Sequence, residues 1–127
     1  MTPHQGSGAG QAIEGAYILG SLLGHPKVTL DKVQVALEIY QRIRLPFANK
    51  VQRLSAEAAW ISSFQDPKSP RFYTSKGEAT EECTGDDIGR LWDMQHDLVT
   101  NWKWAWTSNA DDDKEKAVAL LEERLQI

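Results

Sequence analysis

Apolar residues recur three and four positions apart along most of this chain, and no stretch alternates apolar and polar residues long enough for a strand. This helical spacing predicts an all-α fold. We expect about five helices, over residues 8–23, 31–44, 51–61, 88–99 and 110–125. Because 127 residues is the length of one ordinary domain, we expect a single helical domain over residues 1–127.

Two of the expected helices have a clear apolar stripe. The stripe of the first comprises Ala9, Ala12, Ile13, Ala16, Tyr17 and Leu23. The stripe of the second comprises Val33, Ala36, Leu37, Tyr40 and Ile43. Pro46 should then either separate the second helix from the third or kink the chain, because proline breaks an interior helical ladder.

The second half of the chain is less regular. The helical spacing disappears between Gln65 and Gly85, which predicts one long irregular loop. Thr84 and Asp87 have the spacing of a capping box at the start of the fourth helix. The run of aspartates at 111–113 lies where the positive end of the last helix dipole favours carboxylates, so we read it as a helix start and not as a metal site.

Composition excludes several kinds of function. The formal charge of −4 argues against a nucleic-acid partner, which would require clustered Lys and Arg. The chain has no apolar stretch of the roughly 18 residues that a membrane span needs. Its first residues lack the pattern of a secretory signal, so the expected location is cytoplasmic. The single cysteine, Cys83, is expected to be an unreactive thiol beside two acids in the loop.

A glycine-rich turn precedes the first helix. The string from Pro3 to Glu14 reads Pro-His-Gln-Gly-Ser-Gly-Ala-Gly-Gln-Ala-Ile-Glu. Glycines let the backbone approach a ligand closely, and the free N–H groups of a helix N-terminus attract a phosphate or a polarised carbonyl oxygen. The pattern therefore suits an anionic cofactor, although glycines before a helix also occur as a flexible start.

The longer string Pro-x-x-Gly-x-Gly-x-Gln-Ala-Ile-Glu resembles the flavin-contacting motif of class A FAD-dependent aromatic monooxygenases of the salicylate hydroxylase type. In that family the proline and glycines lie beside the isoalloxazine, and the helix points its N-terminus at the flavin. The resemblance implies FAD as cofactor and NAD(P)H-dependent hydroxylation of an aromatic substrate. The residues expected to bind the cofactor are Pro3, Gly6, Gly8, Ala9, Gly10 and Gln11.

The resemblance extends through the region 17–55, which is similar to the closing helices of the family. The segment from Trp102 to Thr107 is similar to the C-termini of fungal members. A complete member would also carry an N-terminal FAD domain and a substrate domain. The chain is therefore expected to be a truncated or degenerate monooxygenase that does not retain FAD and does not hydroxylate alone. Gly15 stands where family members usually have Asp, which suggests relaxed selection for the flavin geometry.

Other residues have a functional and a structural interpretation. Trp102, Trp104 and Trp106 alternate, which would place them on one side of an extended segment as a surface for a partner or a small aromatic ligand; packing onto the helices is the alternative. The three arginines Arg42, Arg44 and Arg53 would bind an anionic aromatic acid only if the fold brings them together, and surface pairing is the alternative.

The histidines His4, His25 and His96 are too scattered for a metal site, and no catalytic residues are identified. A second hypothesis is a helical interaction protein, or a small-molecule-binding protein, that reuses the scaffold.

Helices separated from the rest of such an enzyme should expose apolar faces. We therefore expect self-association as a homodimer, which could include exchange of a helix. The residues expected on these faces are Ile13, Tyr17, Val33, Leu37, Tyr40, Val51 and Leu54. A monomer covered by the long loop and the tryptophan segment is the alternative.

Overall fold

The computed structural model of the chain describes residues 1–66 and 85–126. Within these residues the fold contains helices and no strand, which confirms the all-α prediction. The helices are α1 (Gly8–Leu23), α2 (Val33–Ser62), α3 (Gly85–Trp102), the single turn α4 (Trp104–Thr107) and α5 (Ala110–Leu125). Two short 3-10 turns, Pro3–Gln5 and Leu30–Lys32, precede α1 and α2. Most of the expected loop and Cys83 lie outside the described residues.

The core lies where α1, α2 and α5 meet. Its fully or almost fully buried side chains come from all three helices: Ile18, Leu22, Ala36, Ile39, Ala117 and Leu121. The second half of α2 packs against α3. This half of α2 buries Val51, Ala58 and Ile61, whereas α3 itself buries only Met94. The chain is thus well packed around α1, α2 and α5, whereas α3 covers little of its own apolar surface.

The last helix begins and ends where the sequence predicts. Asn109 caps it, because the Asn109 side-chain oxygen accepts a hydrogen bond from the backbone N–H of Asp111 at 3.0 Å. The aspartates at 111–113 form the first turn, next to the positive end of the helix dipole. Thr84, the first residue of the predicted capping box for α3, lies outside the described residues.

Pro46 neither separates two helices nor ends one, so the expectation of separate second and third helices is wrong. Helix α2 runs through Pro46 for 30 residues. Proline deprives only one carbonyl, that of Arg42, of its helical donor. Because Arg42 and Pro46 are both exposed, water can satisfy that carbonyl, and the packed residues on either side keep the helix continuous.

The buried face of α1 also differs from the expected stripe. The structure buries Gly15, Ile18 and Leu22, whereas Ile13 is 71% exposed and Tyr17 is also exposed. Of the residues expected on free faces, Leu37 is exposed, Val51 is fully buried, and Val33, Tyr40 and Leu54 are half-buried. No helix within the described residues is long and apolar enough to cross a membrane.

Candidate functional site

The glycine-rich turn has a defined geometry. Residues Pro3–Gln5 form a 3-10 turn, which ends at Gly6 with φ 60°, a left-handed conformation that favours glycine. The backbone N–H of Gly6 donates to the Pro3 carbonyl at 3.0 Å. The Ser7 hydroxyl donates to the Gln5 carbonyl at 2.9 Å, and it makes no capping hydrogen bond to α1. The turn thus leads directly into an uncapped helix.

Three backbone N–H groups are free at the start of α1. The first intrahelical bond of this end is donated by Gln11 to the Ser7 carbonyl at 2.9 Å. The amides of Gly8, Ala9 and Gly10 therefore have no acceptor within the described residues. A Cβ atom added at Gly6, Gly8 or Gly10 would meet nothing within 4 Å, so the space above the turn is open. An anionic or carbonyl-bearing ligand can approach these amides closely.

Hydrogen bonds to α2 and α3 hold the turn in place. Gln5 is only 3% exposed, and its side-chain nitrogen donates to the Asn101 carbonyl, at the end of α3, at 3.2 Å. The Ser55 hydroxyl, in α2, donates to the Thr2 carbonyl at 2.7 Å. The Gln5 side-chain oxygen is buried and has no hydrogen-bond partner among the described residues. Gln5, Ser55 and Asn101 were not singled out from the sequence, because their roles arise from contacts about 50 to 100 residues apart.

Gln11 differs from the other expected cofactor residues. Its backbone N–H is used inside the helix, and its side-chain oxygen accepts a hydrogen bond from Arg44 Nη2 at 2.9 Å. Its side-chain nitrogen donates to Glu14 Oε2 at 3.1 Å. Gln11 therefore faces the interior contacts of α1, whereas Pro3, Gly6, Gly8, Ala9 and Gly10 are exposed on the turn.

Arg44 lies beneath this part of α1 and is 5% exposed. Its guanidinium bonds to Glu14 Oε2 at 3.1 Å and to Asp113 Oδ2 at 3.2 Å. The guanidinium carbon lies 5.2 Å from the centre of the Phe47 ring, which makes an edge-to-face contact with Trp104. Two carboxylates and an aromatic face thus surround one buried cation.

The three arginines do not form an anion site. Arg44 is committed to its two carboxylates, and Arg53 pairs with Glu57 at 2.6 Å on the surface. Arg42 precedes Arg44 by two residues, which places it on another side of the same helix. The three tryptophans do not follow an extended segment, and the burial of Trp104 agrees with the packing interpretation for that residue. Trp104 is buried in the helical turn α4, whereas Trp106 is 62% exposed.

The histidines are separate in the structure as in the sequence. His4 and His96 are exposed, and His25 lies 3.7 Å from Glu122. No group of three or more His, Cys, Asp or Glu side chains that could hold a metal ion exists within residues 1–66 and 85–126. Neither these residues nor the turn forms an arrangement of nucleophile and base.

Several similar proteins are named as monooxygenases or hydroxylases. The FAD-dependent monooxygenase str9 of Strobilurus tenacellus is 37% identical over 110 residues, which are 87% of this chain and 20% of that protein. A salicylate hydroxylase of Pseudomonas putida is 33% identical over 121 residues, which are 95% of this chain and 24% of that enzyme. The 6-methylsalicylate 1-monooxygenase atA of Aspergillus terreus is 35% identical over 94 residues, 73% of this chain and 20% of that enzyme.

The chain belongs to the salicylate-hydroxylase-like FAD-dependent monooxygenases. It spans about a fifth to a quarter of the length of these relatives. No protein-family model matches it, and no solved structure does.

Proposed function

We propose that this chain forms one wall of an FAD site in a salicylate-hydroxylase-like monooxygenase, and that it does not hydroxylate an aromatic substrate alone. The observation that carries the proposal is the set of three free N–H groups at Gly8, Ala9 and Gly10, under an open surface. Exposed glycines allow a flat ring to lie against the backbone, and the free amides favour partial negative charge on a polar edge of that ring.

The residues present fit one side of a flavin. The residues that would hold it are Pro3, Gly6, Gly8, Ala9 and Gly10. Gln11 would instead support the turn on the side away from the flavin, through its contact with Arg44. Bound FAD would supply the electron transfer and oxygen activation of the family. The turn would position one face of the ring system and exclude water from that face.

A single wall is insufficient to retain the cofactor. Most dinucleotide sites bind the pyrophosphate at a strand–turn–helix unit, and the described residues contain no strand. The only buried cation among these residues, Arg44, is already neutralised by Glu14 and Asp113. We therefore expect the 127-residue chain to bind FAD weakly.

Catalysis offers a direct test. NAD(P)H oxidation is followed at 340 nm with the purified chain, excess FAD and salicylate. We expect the rate to equal that of free FAD, because the chain does not hold the cofactor against a substrate. A rate that rises with salicylate and scales with the chain would overturn the proposal that the chain does not act alone.

A second proposal concerns self-association as a homodimer, and α3 favours it. Its apolar residues Ile88, Leu91, Trp92 and Val99 are all exposed, and Trp92 is 66% exposed. Their spacing places them along one side of the helix. Packing this stripe against a second copy would bury two exposed aromatic rings and their aliphatic neighbours. The surface differs from the α1 and α2 residues expected from the sequence.

A further inference from the structure

Arg44 joins three helices at a single guanidinium. It projects from the middle of α2, and it is 5% exposed. Nη2 donates to Gln11 and Glu14 of α1, at 2.9 and 3.1 Å. Nη1 donates to Asp113 of α5 at 3.2 Å. No other side chain among the described residues bonds to both α1 and α5.

The contacts on α1 lie immediately after the free amides. Gln11 is the next residue after Gly10, and Glu14 is one helical turn further along. The Gln11 side-chain nitrogen also donates to Glu14, which closes a triangle of hydrogen bonds with Arg44. Because a guanidinium is planar and presents its donors in fixed directions, this triangle constrains both the position and the rotation of the first turns of α1.

The rest of the turn has weaker restraints. A helix that begins with Gly8, Ala9 and Gly10 has high backbone entropy at this end, and no side chain caps it. On the other side of the turn, the described restraints are the Gln5 contact with Asn101 and the Ser55 contact with Thr2. Loss of the Arg44 triangle should therefore loosen the amides more than it loosens the core.

We infer that Arg44 is a positioning residue for the flavin-facing turn: through Gln11 and Glu14 it fixes the orientation of the Gly8–Gly10 amides. This inference rests on the proposed function of the turn. Arg44 does not touch the ligand surface, since its donors face Glu14, Gln11 and Asp113. Its effect on a ligand is therefore indirect.

Backbone ¹⁵N relaxation on the full chain tests the inference without any cofactor. In Arg44→Met, we expect the order parameters of residues 8–14 to fall well below their wild-type values, while those of residues 115–124 change little. The matched control Arg53→Met removes an exposed arginine of the same helix, and it should leave both segments unchanged. A second control, Val51→Ala, reduces core packing in α2 and should lower stability without loosening α1 selectively.

If Arg44→Met does not fold, Glu14→Gln provides the second variant, because it keeps the shape of the side chain and weakens one side of the triangle. Selective loosening of residues 8–14 in either variant supports the inference. Unchanged order parameters, or equal loosening of every helix, would overturn it. FAD titration of the wild-type chain reports separately on the proposed function, since loosening without any flavin response would contradict the proposed function alone.

Discussion

The hydroxyl oxygen of Tyr40 lies 2.9 Å from the position that a Cβ atom would occupy on Gly15. Gly15 is buried in the middle of α1, and Tyr40 comes from α2. A Cβ atom at this position would require the Tyr40 hydroxyl to shift, because real Cβ atoms do not approach other atoms so closely. Packing against Tyr40 is thus a second interpretation of this glycine, beside relaxed selection.

We predict that the effect of Gly15→Ala depends on Tyr40. Alanine is favoured over glycine in a helix interior by about 1 kcal/mol, but in the wild type the clash with the Tyr40 hydroxyl should cancel or reverse this gain. In a Tyr40→Phe background the clashing atom is absent, so Gly15→Ala should raise the free energy of unfolding by roughly 0.5–1 kcal/mol. Urea unfolding of the four proteins gives the coupling. An identical effect in both backgrounds would show that the contact carries no energy.

Part of the fold could be predicted from the sequence. The all-α class and the limits of α1 and α5 follow from helical spacing and from the run of aspartates at 111–113. The buried side of α1 did not follow, because the small residues Ala9, Ala12 and Ala16 form a stripe as regular as the true one. Tertiary contacts decide which side faces α2, among them Gly15 with Tyr40 and Gln11 with Arg44.

Two further differences have the same origin in tertiary contacts. A proline usually ends a helix, yet Pro46 lies on the exposed side of α2 and the packing around it maintains the helix. For the candidate site, the exposed glycines were found from their pattern and from the family resemblance. The inward role of Gln11 was missed, because its partner Arg44 is 33 residues away.

The glycines of the turn should respond differently to alanine. Gly6 has a positive φ, so Gly6→Ala should lower the free energy of unfolding by roughly 1–2 kcal/mol. Gly10 is helical and open, so Gly10→Ala should raise it by about 0.5–1 kcal/mol. Thermal and urea unfolding monitored by circular dichroism measures both changes. Equal effects at the two positions would contradict the described turn geometry.

The α3 stripe should control self-association. We expect wild-type protein to sediment as a dimer of the 14.3 kDa chain and Trp92→Ser to sediment as a monomer, because Trp92 is the largest exposed side chain of the stripe. Ile13→Ser is the matched control, since Ile13 is equally exposed but lies on α1. Sedimentation equilibrium over a wide concentration range measures the masses. A wild-type species near 14.3 kDa throughout would rule out the dimer, and dissociation by Ile13→Ser alone would place the interface on α1.

If the glycine-rich turn is one wall of a flavin site, titration of the ¹⁵N-labelled chain with FAD should shift the amide resonances of that turn. We predict shifts concentrated at the amides of Gly6, Gly8, Ala9 and Gly10, without saturation until FAD reaches about millimolar concentration, which corresponds to a binding free energy of roughly −4 kcal/mol. Shifts confined to other helices, or no shifts at all, would contradict the location of the wall. One-to-one binding at low micromolar FAD would instead contradict the claim that this wall alone cannot retain the cofactor.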